Sequence, residues 1–203
     1  MGSKLIERLL QNKHQVHALV RRGSEKRLTV GAHPVIGNAL DKSTFVNSIR
    51  PATMFVHLVG VSHPNPAKKN QFREIDFVSA RESVSAAFQS GVQHFIYVSV
   101  ASPAPVMKAY VDVRIECENM IKESGMNCTI LRPLYVLGPG HWWPYPLKPI
   151  FLMLEQIPAI KEPAQRLGFV TLQQMVNTLV WSVEHPATGV RILDVLKIKQ
   201  YGQ

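Results

Sequence analysis

Apolar residues in the first dozen positions fall at Leu5, Ile6, Leu9 and Leu10, one stripe of a helix, so a helix is predicted over 3–12. The period then shortens. QVHALV at 15–20 alternates as a short strand, and His33 to Gly37 reads as another. Asp41 or Ser43 could cap a helix running toward Ile49, which Pro51 would stop. MFVHLVG at 54–60 is apolar nearly throughout and closes on Gly60, the pattern of a strand buried on both faces. The theme then repeats: a helix over 72–90 with Gly91 beyond its end, the strand HFIYVSV at 94–100, and a helix over 107–124 ended by Gly125. CTILRP at 128–133 is a strand ended by proline. Leu172, Met175, Val176, Leu179, Val180 and Val183 line one side of a helix over 172–185, and VRILDV at 190–195 is a last strand. Strands separated by helices imply right-handed βαβ crossovers and a parallel sheet covered on both faces, an α/β doubly wound architecture. No internal repeat or low-complexity linker interrupts the pattern, so residues 1–203 form a single domain.

Composition narrows this picture. Hydrophobic content of 46% with 18% charged residues fits a folded globular chain. The most apolar stretch, 149–160, is broken by Glu155 and Pro158 and is too short to span a bilayer, so no stable membrane insertion is expected. Charges interrupt the N-terminal segment, which does not read as a secretory signal. The two cysteines, Cys117 and Cys128, have no metal-ligand spacing with a neighbour, and a reduced, cytoplasmic chain fits them. A net charge of +9 points to a polyanionic partner or to dispersed, solvated charge. Arg21, Arg22, Lys26 and Arg27 form the one dense cluster. Nucleic acid is not favoured as the partner, because no reader helix or stacking platform is recognisable.

Four segments carry a resemblance: GSKLIERLLQNKHQVHALVRR at 2–22, GVQHFIYVSV at 91–100, Tyr110-x-x-x-Arg114, and ESGMNCTILRPLYVLGPG at 123–140. In wording and order they resemble the extended or atypical short-chain dehydrogenase/reductase family, especially its NmrA-like and epimerase-like branches. The likeness covers nearly the whole chain. It implies a Rossmann-like sheet of order 3-2-1-4-5-6, whose first strand leads through T-G-x-x-G-x-x-G into the first helix. Here Gly2 falls at the third glycine, and the first strand and two glycines, roughly a dozen residues, are absent. A misassigned start or a fragment is the expected explanation. In that strand order the absent strand is central, so a slot roughly 10 Å wide should lie between the strands at 15–20 and 54–60. Alternatively, those two strands pair directly.

The resemblance also implies site residues. Gly2 would lie against the pyrophosphate of a dinucleotide. Arg21 and Arg22 stand where relatives that prefer NAD carry an acid, so NADP is expected and NAD remains possible. Asn38 and Ala39 match the adenine-side turn, with Asn38 in place of an acid. Val59 and Gly60 match the segment passing the ribose, and Pro133 would flank the nicotinamide. Tyr110 would be the general acid/base, with Arg114 where the family has lysine and Ser99 one residue early for the orienting hydroxyl, a position held by Val100; Ser102 could substitute. The aromatic segment from His141 to Pro146 would belong to a substrate lobe over 138–170, suited to a small apolar oxygenated substrate, or, as apolar patches usually pack, to a lid on the core or the face of a homodimer. The implied function is NADP-linked redox chemistry. The alternative is a non-catalytic cofactor-binding module, like NmrA-type redox sensors or the accessory subunit of respiratory complex I.

Overall fold

The protein is described by a computed structural model covering residues 1–62, 64–102, 107–138 and 168–203. The Pro139-Gly140 turn, the aromatic segment at 141–146 and most of the expected lobe lie outside these residues. Helix α1 (Gly2–Gln11) comes first, followed by β1 (His17–Val20), β2 (His33–Ile36) and β3 (Met54–His57). A short α2 (Lys69–Gln71) runs through a π-helical stretch (Phe72–Phe77) into α3 (Val78–Ser90), and β4 (His94–Val98) follows. Then come α4 (Lys108–Glu123), β5 (Asn127–Leu131), β6 (Tyr135–Leu137), β7 (Phe169–Thr171), α5 (Leu172–Glu184), β8 (Val190–Leu193) and α6 (Val195–Tyr201).

Every strand pair is parallel. The main sheet has the order β3-β4-β5-β8, and among the described residues β1 pairs only with β2. The architecture is α/β and Rossmann-like, as the alternation of periods requires. Residues one apart in a strand face opposite sides, and this divides the core. Phe95, Tyr97, Cys128 and Ile130 pack with Ala80, Val84, Val113 and Ile121 from α3 and α4. Ile96, Leu131 and Leu193 pack instead with Leu5 and Leu9 of α1 and with Met175 and Leu179 of α5. α3 stops because Gly91 takes the left-handed conformation at φ 74°, open to glycine at no steric cost.

Of the two expectations for the strands at 15–20 and 54–60, the gap is seen and the alternative of direct pairing is not: among the described residues β1 and β3 each keep one edge unmatched. Two other sequence expectations change. The helix expected toward Ile49 is two 3₁₀ turns, Lys42–Thr44 and Val46–Ser48. The last strand ends at Leu193, because the Asp194 side chain accepts from the Lys197 N–H at 3.0 Å and starts α6. β6 and β7 pair in parallel, Tyr135 opposite Phe169 and Leu137 opposite Thr171.

Candidate functional site

A cavity of about 660 Å³ lies between β1 and β3, with no strand between the two edges among the described residues. Leu5, Ile6 and Leu9 of α1 wall it on one side and Ser83 of α3 contributes on the other. It runs the length of both strands, lined at their amino ends by Gln15 and Thr53 and at their carboxyl ends by Leu58 and Val59, which follow β3, and by Ala39, which follows β2. In an open α/β sheet that edge is where ligands bind.

Gly2, at the first turn of α1, lines the carboxyl end of this cavity beside Leu58. That turn carries no acidic residue and no side-chain cap, so its N–H groups and the positive end of the helix dipole are uncompensated. A Cβ at Gly2 would meet nothing nearer than Leu58 Cδ1 at 4.0 Å, so the backbone can be approached closely. Gly2, Ala39 and Val59 thus line one cavity together, and its volume is within the range of cofactor sites. These residues fit a dinucleotide phosphate group. Arg21 and Arg22 are exposed immediately beyond β1. The Asn38 side-chain oxygen accepts from the Leu40 N–H at 3.0 Å, and its own N–H donates to Thr44 Oγ1 at 2.9 Å. Pro133 is buried and its carbonyl accepts from the Ala101 N–H at 2.9 Å, tying the end of β5 to the loop after β4.

The other candidates belong to a different construction. Arg114 is buried and pairs through Nη2 with the carboxylate of Asp76. Its Nη1 donates to Tyr97 Oη at 3.1 Å and to the Val98 carbonyl at 3.0 Å. Asp76 Oδ2 accepts from the Val61 N–H at 3.0 Å. Gly60 is pressed against this pair. A Cβ there would overlap Arg114 Nη2 and come within 2.9 Å of Asp76 Oδ1, so its lack of a side chain makes room for the ion pair. The Tyr110 ring sits 5.1 Å from the guanidinium carbon and packs edge-on against Phe72.

The electrostatics follow from burial. Burial opposes the charge on Arg114, but Tyr97, Tyr110 and Asp76 outweigh it and hold its pKa above the ordinary arginine value. Burial raises the Asp76 pKa, opposed by Arg114 and the Val61 N–H. Burial likewise raises the Tyr110 phenol, and the nearby guanidinium only partly offsets it. Ser99 is buried, its N–H donates to the Leu131 carbonyl at 2.7 Å, and its hydroxyl finds no hydrogen-bond partner among the described residues. Val100 is buried beside it.

Asp76 is the residue that sequence reading missed. Its signal was present: Phe72, Asp76, Ala80 and Val84 recur every four residues, so one acid stands on an otherwise apolar stripe. The π-helical stretch that contains it is a departure often found at functional positions.

A family model described as NAD(P)H-binding matches residues 1–138. No curated protein matches the chain significantly. Among solved structures, the Bordetella bronchiseptica enzyme WbmH in complex with NAD⁺ is similar over 95% of this chain and 71% of that one, at 18% identity and a TM-score of 0.68. A short-chain dehydrogenase/reductase superfamily protein from Agrobacterium tumefaciens with bound NAD matches over 95% and 74%, at 17% identity and a TM-score of 0.67. The UDP-glucose 4-epimerase of Thermus thermophilus, complexed with NAD, matches over 98% and 78%, at 14% identity and a TM-score of 0.66. With two thirds of its length matched by the family model, and with an uncompensated helix terminus at the carboxyl edge of a Rossmann-like sheet, this chain belongs to the NAD(P)H-binding family.

Proposed function

We propose that the domain binds NADP and that it does so without the activated tyrosine of a standard short-chain dehydrogenase. The observation that carries the binding reading is the grouping of Gly2, Ala39 and Val59 around one cavity at the uncapped start of α1. Those residues would hold the dinucleotide, and Arg21 and Arg22, exposed just past β1, would take the 2′-phosphate. When bound, such a cofactor supplies hydride chemistry.

The preference for a sensor or accessory module rests on Arg114. An activating cation beside Tyr110 must lower the phenol's pKa, yet Asp76 neutralises Arg114 and burial keeps the phenol raised. A raised phenol holds its proton at neutral pH and is a poor base. The second reading, NADP-linked redox chemistry on a small apolar oxygenated substrate, is favoured by the family and by the buried Ser99 hydroxyl, which has a proton to donate and no described acceptor.

Fluorescence titration tests the cofactor. NADPH should bind more tightly than NADH, and replacing both arginines (Arg21→Ala, Arg22→Ala) should weaken NADPH roughly 10- to 100-fold, the worth of one or two charge-assisted hydrogen bonds, while leaving NADH nearly unchanged. Tighter NADH in the parent chain would overturn the NADP assignment. Incubation with NADPH and a panel of carbonyl compounds tests the chemistry. No oxidation above background is expected, and Tyr110→Phe should hold NADPH affinity within about twofold. Turnover that Tyr110→Phe abolishes would establish the enzyme reading instead.

A further inference from the structure

We infer that Glu118 and Arg132 are positioning residues for the nicotinamide half of the cofactor, a clamp that sets the end of β5 against α4. The inference rests on the cofactor reading above, and strand order carries it further. A dinucleotide with its phosphates at Gly2 and its adenosine at Ala39, past β2, sends its other half the opposite way. That half crosses the carboxyl ends of β3, β4 and β5, with β4 and β5 standing about 5 and 10 Å beyond β3. There Ala101 follows β4 and Pro133 follows β5. Pro133 has no N–H, and its carbonyl already accepts from Ala101 at 2.9 Å. It can serve a ligand only by where it stands.

Arg132 decides where that is. Its backbone N–H donates to the Leu193 carbonyl at 2.8 Å, which fixes it against β8. Its side chain crosses to α4, where Nε donates to Glu118 Oε1 at 2.9 Å and Nη2 to Oε2 at 2.5 Å. Two bonds from one planar fork fix orientation as well as distance. The Glu118 side chain is 1% exposed and that of Arg132 23%, so the carboxylate has lost its water and depends on this partner, with Lys122 Nζ 3.5 Å away. A buried pair adds little stability over apolar residues of the same shape, so its gain is geometric. Tyr110, Arg114 and Glu118 recur every four residues on one face of α4. Arg114 ties that face to the end of β4 through the Val98 carbonyl, and Glu118 ties it to the end of β5. The two ties hold Tyr110 and Pro133 at a set separation.

The test compares NADPH with adenosine 2′,5′-bisphosphate, which carries the adenosine and the 2′-phosphate but no nicotinamide. The variant is Glu118→Met with Arg132→Met, which removes both charges together and so leaves none buried alone. NADPH should bind it roughly 10-fold more weakly, the worth of about one hydrogen bond, and the fragment should stay within about twofold of the parent. Arg132→Lys keeps the charge without the fork and should show a smaller split of the same kind. Without nucleotide, amide exchange at Ala101 should quicken roughly 10-fold in the double variant, while Ala86 and Ala87 of α3 keep their rates. A purely structural pair would move NADPH and the fragment alike. Three results would overturn the inference: NADPH affinity unchanged, equal losses for NADPH and the fragment, or Ala101 exchanging as slowly as in the parent. A parent chain that binds neither nucleotide overturns the cofactor reading and the inference with it, whereas a parent that binds both beside a variant with no split overturns the inference alone.

Discussion

Replacing Asp76 by alanine should destabilise the domain by about 3–5 kcal/mol, a large part of the 5–15 kcal/mol that separates most domains from their unfolded chains. Asp76 is fully buried, and the side chain of Arg114 is 7% exposed. Removing the carboxylate leaves a guanidinium in the core with no counter-charge and takes the acceptor from the Val61 N–H. Both losses fall on groups that water cannot reach. Asp76→Asn should cost less, because an amide oxygen can still accept from Val61. Arg114→Lys should be damaging too, since a point charge cannot reproduce the fork that reaches Asp76, Tyr97 and the Val98 carbonyl. The double replacement Asp76→Ala with Arg114→Met removes both charges and should recover much of the loss. Urea denaturation with a constant slope checks each variant. A cost under about 1 kcal/mol for Asp76→Ala would mean that the pair is not held as described.

The same pair explains what could and could not be read from the sequence. Gly60 and Arg114 look like a cofactor glycine and a replaced catalytic lysine because each stands at the right distance along the chain from a strand or a tyrosine. Their contact with Asp76 joins three separate elements, and no local pattern announces it. Elements set by local rules were legible: the apolar runs that become β3, β4 and β5, and the left-handed caps at Gly91 and Gly125. The helix expected before Pro51 failed for a local reason that spacing does not register. Thr44 Oγ1 donates toward the carbonyls of Asn38 and Asp41, and the Asp41 side chain accepts from the Ser43 N–H. Such bonds offer the backbone an alternative to the α-helix. The slot was foreseeable because strand order fixes neighbours. That β1 and β3 hold apart rather than pair is a property of packing: α1 lies across the gap with Leu5 and Leu9 anchored on the main sheet.

Lowering the pH from 7 to 5 should cost the domain roughly 3–4 kcal/mol, through two histidines that the fold keeps neutral. His57 is buried against Tyr97 and Phe95, with Nδ1 3.1 Å from Ser83 Oγ. Burial, and then the charge on Arg114, push its pKa down to about 3. His94 is fully buried, and its Nε2 accepts from the Ala187 N–H at 3.3 Å and lies 3.0 Å from Thr129 Oγ1. Burial, and then the charge on Arg191, push it down to about 4. In the unfolded chain both titrate near 6.5. Their contribution is therefore complete above pH 6.5 and is lost as the pH falls toward 4, because the unfolded chain takes up protons that the folded one refuses. With both groups titrating, the slope approaches about 2.7 kcal/mol per pH unit, twice the value for a single proton. Asp76 acts in the opposite sense, since its raised pKa favours proton uptake by the folded state. His57→Gln or His94→Gln should each remove about half of the slope between pH 6.5 and 5. Urea midpoints at pH 7, 6 and 5 measure it, and a parent chain as stable at pH 5 as at pH 7 would show that neither imidazole is held neutral.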